Sequence, residues 1–143
     1  MIHIEPKAGN YCFGCGLTNP FGLRMSFTYD PDARAVHSQY AAPEHFRGVE
    51  GKLHGGMIAV LLDEASSKVM SGMGIHAVTN SLRISYVRPV PTETELAIKA
   101  RYSRQEADRH WVEAEIAQID GEILACSKGI FVAVNPDFAN TLG

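Results

Sequence analysis

The segment His54-Gly55-Gly56-Met57-Ile58-Ala59-Val60-Leu61-Leu62-Asp63 carries the clearest chemistry in this chain. Two glycines open an apolar run, and a carboxylate follows inside it. The start of a helix leaves backbone N–H groups without intrahelical partners and carries partial positive charge, so it can stabilise an anion. An acid among apolar neighbours resists ionisation and can serve as a base or a nucleophile. Oxyanion donors and a carboxylate together suit acyl transfer.

The spacing sets a condition on that chemistry. At a rise of ~1.5 Å per residue, Asp63 stands roughly 12 Å along the axis from Gly55. A reacting carbonyl must lie within ~3 Å of its oxyanion donor and near the attacking group. One copy of the helix cannot supply both. If both groups act on one carbonyl, they come from two copies with antiparallel helices, related by a two-fold axis with two equivalent sites. Glu64 is turned about 100° from Asp63 and is expected to point elsewhere, solvated or paired.

The elements that must position these groups read as an α+β layout with an antiparallel sheet. The helix is expected over residues 55–71. Ile58, Leu61, Leu62, Ala65 and Val69 recur on one face at the helical period, and Gly72-Met73-Gly74 ends it. Met57, Ala59 and Val60 make its first half apolar nearly all round, as in an enclosed helix. A smaller, more polar side runs through Ala59, Asp63, Ser66 and Met70, next to Ser67, and could border a cleft. Strands are expected at 25–29, 35–40, 78–88, 96–102, 111–119 and 123–134, with Asp120-Gly121 as a two-residue hairpin turn. Residues 1–24 form a turn-rich N-terminal segment and 135–143 a loose tail of one domain spanning 1–143. A mostly antiparallel sheet with one covering helix leaves an edge to manage, which favours pairing with another subunit.

Bulk properties narrow the function classes. The 143 residues carry a net charge of −3, which gives no electrostatic case for nucleic acid or an anionic membrane as the main partner. The N-terminus lacks a signal-peptide pattern, and no apolar run approaches the ~20 residues of a membrane span. The expected location is cytoplasmic. Three cysteines are an odd number and suggest no disulfide framework. Cys12-x-x-Cys15 has metal-like spacing, but no second Cys pair or close His pair accompanies it. The expectation is a turn packed by Phe13 and the cysteines, with no metal and no cofactor. Gly72-x-Gly74-x-x-Ala77 mimics a dinucleotide fingerprint but follows a helix, the wrong context. His45, His76 and His110 are expected in loops or at the surface.

The segment Phe46-Arg47-Gly48-Val49-Glu50-Gly51-Lys52-Leu53-His54-Gly55-Gly56, with Asp63 beyond it, resembles the hotdog-fold acyl-CoA thioesterases. The branch it is most similar to is the phenylacetate-pathway type and its animal relatives. Thr79 to Pro89 looks like the strand that follows the central helix in that family. The resemblance implies a long helix wrapped by an antiparallel sheet of about five to six strands, with sites at a dimer interface and dimers or tetramers of two dimers. It implies Asp63 as general base or nucleophile and the Gly55 N–H of the other subunit as oxyanion donor. Thr79 would hold the attacking water, and His54 would orient the substrate carbonyl or the loop. Gly48, Gly56, Ser81, Arg83 and Arg88 would contact substrate, with Lys99, Arg101 and Arg104 as further cations for the coenzyme A phosphates. Some members carry Asn where this chain has Gly48, so one polar contact must be missing or supplied elsewhere. The alternative within this resemblance is an acyl-CoA-binding module without hydrolysis.

Overall fold

The computed structural model describes residues 1–135. The described residues form seven strands and one long helix: β1 (Ile2–His3), β2 (Thr28–Asp30), β3 (Ala35–Tyr40), α1 (Gly55–Gly72), β4 (Ala77–Tyr86), β5 (Leu96–Glu106), β6 (Arg109–Gln118) and β7 (Ile123–Ala133). A single 3-10 turn, Glu44–Phe46, precedes the helix. All strands join one antiparallel sheet in the order β1-β2-β3-β5-β6-β7-β4. The sheet wraps α1, the hotdog arrangement that the resemblance implied.

Alternation explains the wrap. Along β5, Leu96, Ile98, Ala100 and Tyr102 are buried, and Val112, Ala114 and Ile116 continue the layer on β6. Against them α1 presents Ile58, Leu61, Leu62, Ala65 and Val69, the expected face, all buried. Ser66 and Met70 are also buried to 0% and 1% exposure, so they belong to the core and not to an open cleft side. They follow Leu62 at helical spacing, which rolls them toward the sheet, and the Ser66 hydroxyl donates to the Leu62 carbonyl at 2.8 Å. Only Ala59, Asp63 and Ser67 of that side stay half-buried.

Other differences have local causes. The 25–29 strand shrinks to Thr28–Asp30 because Met25 spends its N–H on the Gly14 carbonyl of the N-terminal loop. Ile4 bonds to Phe27, and the short β1 that precedes it adds an edge strand beyond the expected six. The β6–β7 connection is not a two-residue turn. Gln118 and Glu122 close a loop of Ile119, Asp120 and Gly121, with Gly121 at φ +104°. The loop thus has three residues with glycine in the bulge position, where the positive φ costs it least. His110 is buried, not at the surface, with Nδ1 2.8 Å from the Tyr102 hydroxyl. The expected tail lies outside the described residues apart from Asn135. Among the described residues, no helix is long and apolar enough to cross a membrane.

Candidate active site

The helix start is built by its N-cap. His54 sits in extended backbone and its Nδ1 accepts the Gly56 N–H at 2.9 Å. Its carbonyl takes the N–H groups of Met57 and Ile58. The Gly55 N–H is left with no hydrogen-bond partner among the described residues. That donor is the orphan which a helix start offers to an anion. The loop before it is pinned by a bond from the His54 N–H to the Phe46 carbonyl and another from Gly48 to Lys52. Gly48 packs close to His54; a Cβ there would stand 3.4 Å from its Cα.

Sequence reasoning missed Tyr86. Its hydroxyl donates to the Gly55 carbonyl at 3.0 Å, and its ring lies beside the Gly55 α-carbon. A tyrosine at the end of the strand after the helix was the available signal, but only the fold places it under the helix start.

Two turns along, Asp63 and Thr79 meet. The Thr79 hydroxyl donates to Asp63 Oδ1 at 2.7 Å. A β-bulge between Thr79 and Ser81 sets this up, because Thr79 opposes Phe131 on the helix-facing side of the sheet while Ser81 opposes Ile130 on the other. Burial raises the Asp63 pKa; the Thr79 hydrogen bond pulls it down and the charge of Glu64 pushes it up. A half-buried carboxylate with one oxygen fixed and the other free can accept a proton from water or attack a carbonyl.

The remaining expected contacts divide. Gly56 and Gly48 lie at the helix start with His54 and Gly55. Ser81 and Arg83 do not join Asp63. Arg83 is in register with Lys128 and lines an open groove of about 550 Å³ on the outer face of the sheet, with Lys99, Arg101, Glu113 and Glu115. Arg88 follows β4 and pairs with Glu122 at 2.9 Å. Arg101 pairs with Glu113, and Arg104 pairs with Glu106 and lies over the Trp111 ring.

Glu64 points away from Asp63, as expected. It is paired with Lys68 at 3.6 Å, and its side chain is only 14% exposed. It faces the N-terminal loop, where Cys12 lies 3.8 Å from each of its oxygens.

Comparison with known proteins places the chain in a family. A family model described as "Thioesterase superfamily" matches residues 50–125, from the loop before α1 through to β7. The chain is 25% identical over 117 residues to the mouse acyl-coenzyme A thioesterase THEM4, which covers 81% of this chain and 50% of that protein. It spans about half the length of the curated relatives it matches. A protein from Ralstonia eutropha JMP134, described as a "phenylacetic acid degradation-related protein", superposes with a TM-score of 0.70 at 25% identity over 78% of this chain and 86% of its own. A Streptococcus pneumoniae TIGR4 protein solved with coenzyme A shares the fold, with a TM-score of 0.71 at 19% identity over 78% of this chain and 86% of its own. With a central helix wrapped by an antiparallel sheet, and with more than half its length matched, this chain belongs to the thioesterase superfamily.

Proposed function

We propose that this chain hydrolyses the thioester of an acyl-coenzyme A. The observation that carries the reading is the pair of groups on α1: a half-buried Asp63 held by Thr79, and an unpartnered Gly55 N–H at the helix start. Membership of the superfamily and likeness to proteins named acyl-coenzyme A thioesterase support it.

Water, held by Asp63 and Thr79, gives a proton to Asp63 Oδ2 as its oxygen bonds to the thioester carbon. The carbonyl oxygen becomes an oxyanion against the Gly55 N–H. Collapse breaks the carbon–sulfur bond and expels the coenzyme A thiolate, which takes the proton from Asp63 Oδ2 and so restores the carboxylate. Direct attack by Asp63, with an acyl-enzyme anhydride then cleaved by water, uses the same groups. A thioester carbonyl is activated enough that one base and one oxyanion donor suffice without a metal.

The helix separates Gly55 from Asp63 by roughly 12 Å, so the donor comes from a second copy of the chain. β4 supports that reading. It is a ten-residue strand at one end of the sheet, and Val78 and Tyr86 on it are 42% and 55% exposed. An edge of that length invites pairing with another strand. A homodimer, or two such dimers, would cover it. In this reading His54 shapes the helix start by capping it, and Gly48 and Gly56 leave the room that His54 occupies there. Ser81 and Arg83 take no part in the Asp63 step, since they face the other side of the sheet. Arg88 is a candidate for the coenzyme A phosphates, in exchange for Glu122.

A panel of aliphatic and aromatic acyl-CoAs, with free thiol as the readout, tests the reading. Turnover of at least one class is expected. Tight binding of acyl-CoA with no thiol release by any member would overturn hydrolysis in favour of a binding module.

A further inference from the structure

The Asp63 reaction makes no use of the most concentrated group of metal-ligating side chains among the described residues. Cys12, Cys15 and Glu64 each offer one ligand atom, and these atoms lie within 4.8 Å of one another. Sequence spacing alone provided two cysteines and no further ligand. The fold brings a third from α1, fifty-two residues from Cys12.

The cluster is built and not incidental. Asn10 ties both cysteines: its Oδ1 accepts the Cys12 N–H at 2.9 Å, and its Nδ2 lies 3.8 Å from Cys15 Sγ. The Gly16 N–H closes the turn on the Cys12 carbonyl at 2.8 Å. Gly14 lies flush against Glu64, where an added Cβ would stand 2.6 Å from the carboxyl carbon. Glycine lets the loop come this near the helix without displacing the Glu64 carboxyl group. Glu64 and Lys68 are 14% and 17% exposed, so these charges are largely withdrawn from water. Lys68 Nζ reaches Cys15 Sγ at 3.0 Å as well as Glu64.

We infer that Cys12, Cys15 and Glu64 form a binding site for a zinc-like divalent cation that clips the N-terminal loop to α1. The distances fit. With Zn–S of ~2.3 Å and Zn–O of ~2.0 Å, neighbouring ligand atoms of a tetrahedral site lie about 3.5–3.8 Å apart. Cys12 Sγ already stands 3.8 Å from each Glu64 oxygen. All separations are within 4.8 Å, so the ligands need to close by no more than about 1 Å, within the swing of a thiol. The charges fit too. Two thiolates and a carboxylate around a divalent cation leave one excess negative charge, and the Lys68 ammonium supplies its counterpart. Asn10 and Lys68 serve as the N–H donors that thiolate ligands need around them. Three protein ligands leave a fourth position for water. Thiolate donors favour zinc over magnesium or calcium.

The clip has a structural consequence near the helix start. Phe13, between the two cysteines, packs against Phe46 at 6.1 Å between ring centroids, and Phe46 accepts the His54 N–H. Metal at the cluster therefore stiffens the loop that carries the helix cap.

The test is a titration of the full-length reduced chain, in a non-chelating phosphine reductant, with Co2+ and then Zn2+. One equivalent of Co2+ is expected to give a thiolate-to-cobalt charge-transfer absorption, which Zn2+ abolishes, and Zn2+ is expected to raise Tm. Cys12→Ser and Cys15→Ser should each weaken the band and cancel the Tm rise. Glu64→Gln should weaken Zn2+ binding at least tenfold, and Cys126→Ser, on β7 away from the cluster, should change neither readout. Absence of the band in the wild-type chain overturns the site, and so does a full band in both Cys12→Ser and Cys15→Ser. Zn2+ binding by Glu64→Gln as tight as wild type removes the carboxylate from the ligand set and overturns the site as stated. Circular dichroism of each variant separates lost binding from lost folding.

Discussion

Asp63 and Glu64 are adjacent acids on one helix with opposite surroundings. Asp63 faces β4 and has one neutral hydrogen-bond donor, Thr79. Glu64 faces the N-terminal loop and has a lysine and two thiols. The first keeps a carboxylate under-compensated, its pKa raised chiefly by burial. The second gives its carboxylate a full cationic partner. An acid kept for proton transfer must not be neutralised by a permanent ion pair, whereas an acid that holds structure gains from one. The turn of about 100° between successive residues is enough to give neighbours different chemistry.

The predictions probe that contrast, beginning with the largest effect. Asp63→Asn is expected to lower kcat for thioester hydrolysis by ~100-fold or more, the usual loss for a general base. The same variant should keep or slightly gain stability at neutral pH. The folded-state pKa of Asp63 is raised, so the folded chain holds this proton more tightly than the unfolded chain. Its contribution to stability is fully present at pH below the unfolded pKa and is lost as pH rises through the folded one. At neutral pH the native Asp63 therefore costs stability, and Asn removes that cost. A thermal melt that drops sharply at neutral pH would instead make Asp63 a structural acid.

Thr79→Ala is expected to cost about tenfold in kcat, the order of one hydrogen bond to a charged group. It also removes a bond that lowers the Asp63 pKa. The acidic limb of the pH–rate profile should therefore move to higher pH. A limb that moves to lower pH would contradict the assigned role.

Tyr86→Phe removes the hydroxyl that donates to the Gly55 carbonyl. A loss of about two- to fivefold in kcat is expected, since the hydrogen bond is partly solvated and worth on the order of 0.5–1 kcal/mol. Steady-state kinetics that show only a KM change would assign Tyr86 to substrate binding.

Gly14→Ala probes the Glu64 side alone. Its Cβ would meet the Glu64 carboxyl group at 2.6 Å, so overpacking of about 1–3 kcal/mol should appear as a lower Tm. The pH–rate profile should hardly move, because the Thr79 bond and the Glu64 charge that act on Asp63 both remain.

The contrast also marks how far the sequence could be read. The helix, its buried face and its glycine start were legible, since the 3.6-residue period and the motif are local signals. So was the turn that separates Asp63 from Glu64. The Asp63–Thr79 contact was reached only through a family resemblance, because nothing local announces the bulge after Thr79 that turns it toward α1. The Glu64 side was not legible. Cys12 and Cys15 lie about fifty residues away in sequence, and their meeting with Glu64 depends on the N-terminal loop crossing the helix. Cross-strand register likewise hid that Ser81 and Arg83 face away from the acid, and that His110 is buried against Tyr102.

The central claim is that each site takes Asp63 from one copy and the Gly55 N–H from another. Gly55→Pro removes that N–H at a helix position which favours proline, and His54 already has the extended backbone that a following proline requires. Gly55→Pro and Asp63→Asn chains should each be inactive alone. Mixed in equal amounts and allowed to exchange subunits, they should recover about a quarter of wild-type turnover per chain. Half the dimers are then mixed, and each mixed dimer has one intact site of two. No recovery, with subunit exchange verified, would contradict the shared site and return both groups to a single chain.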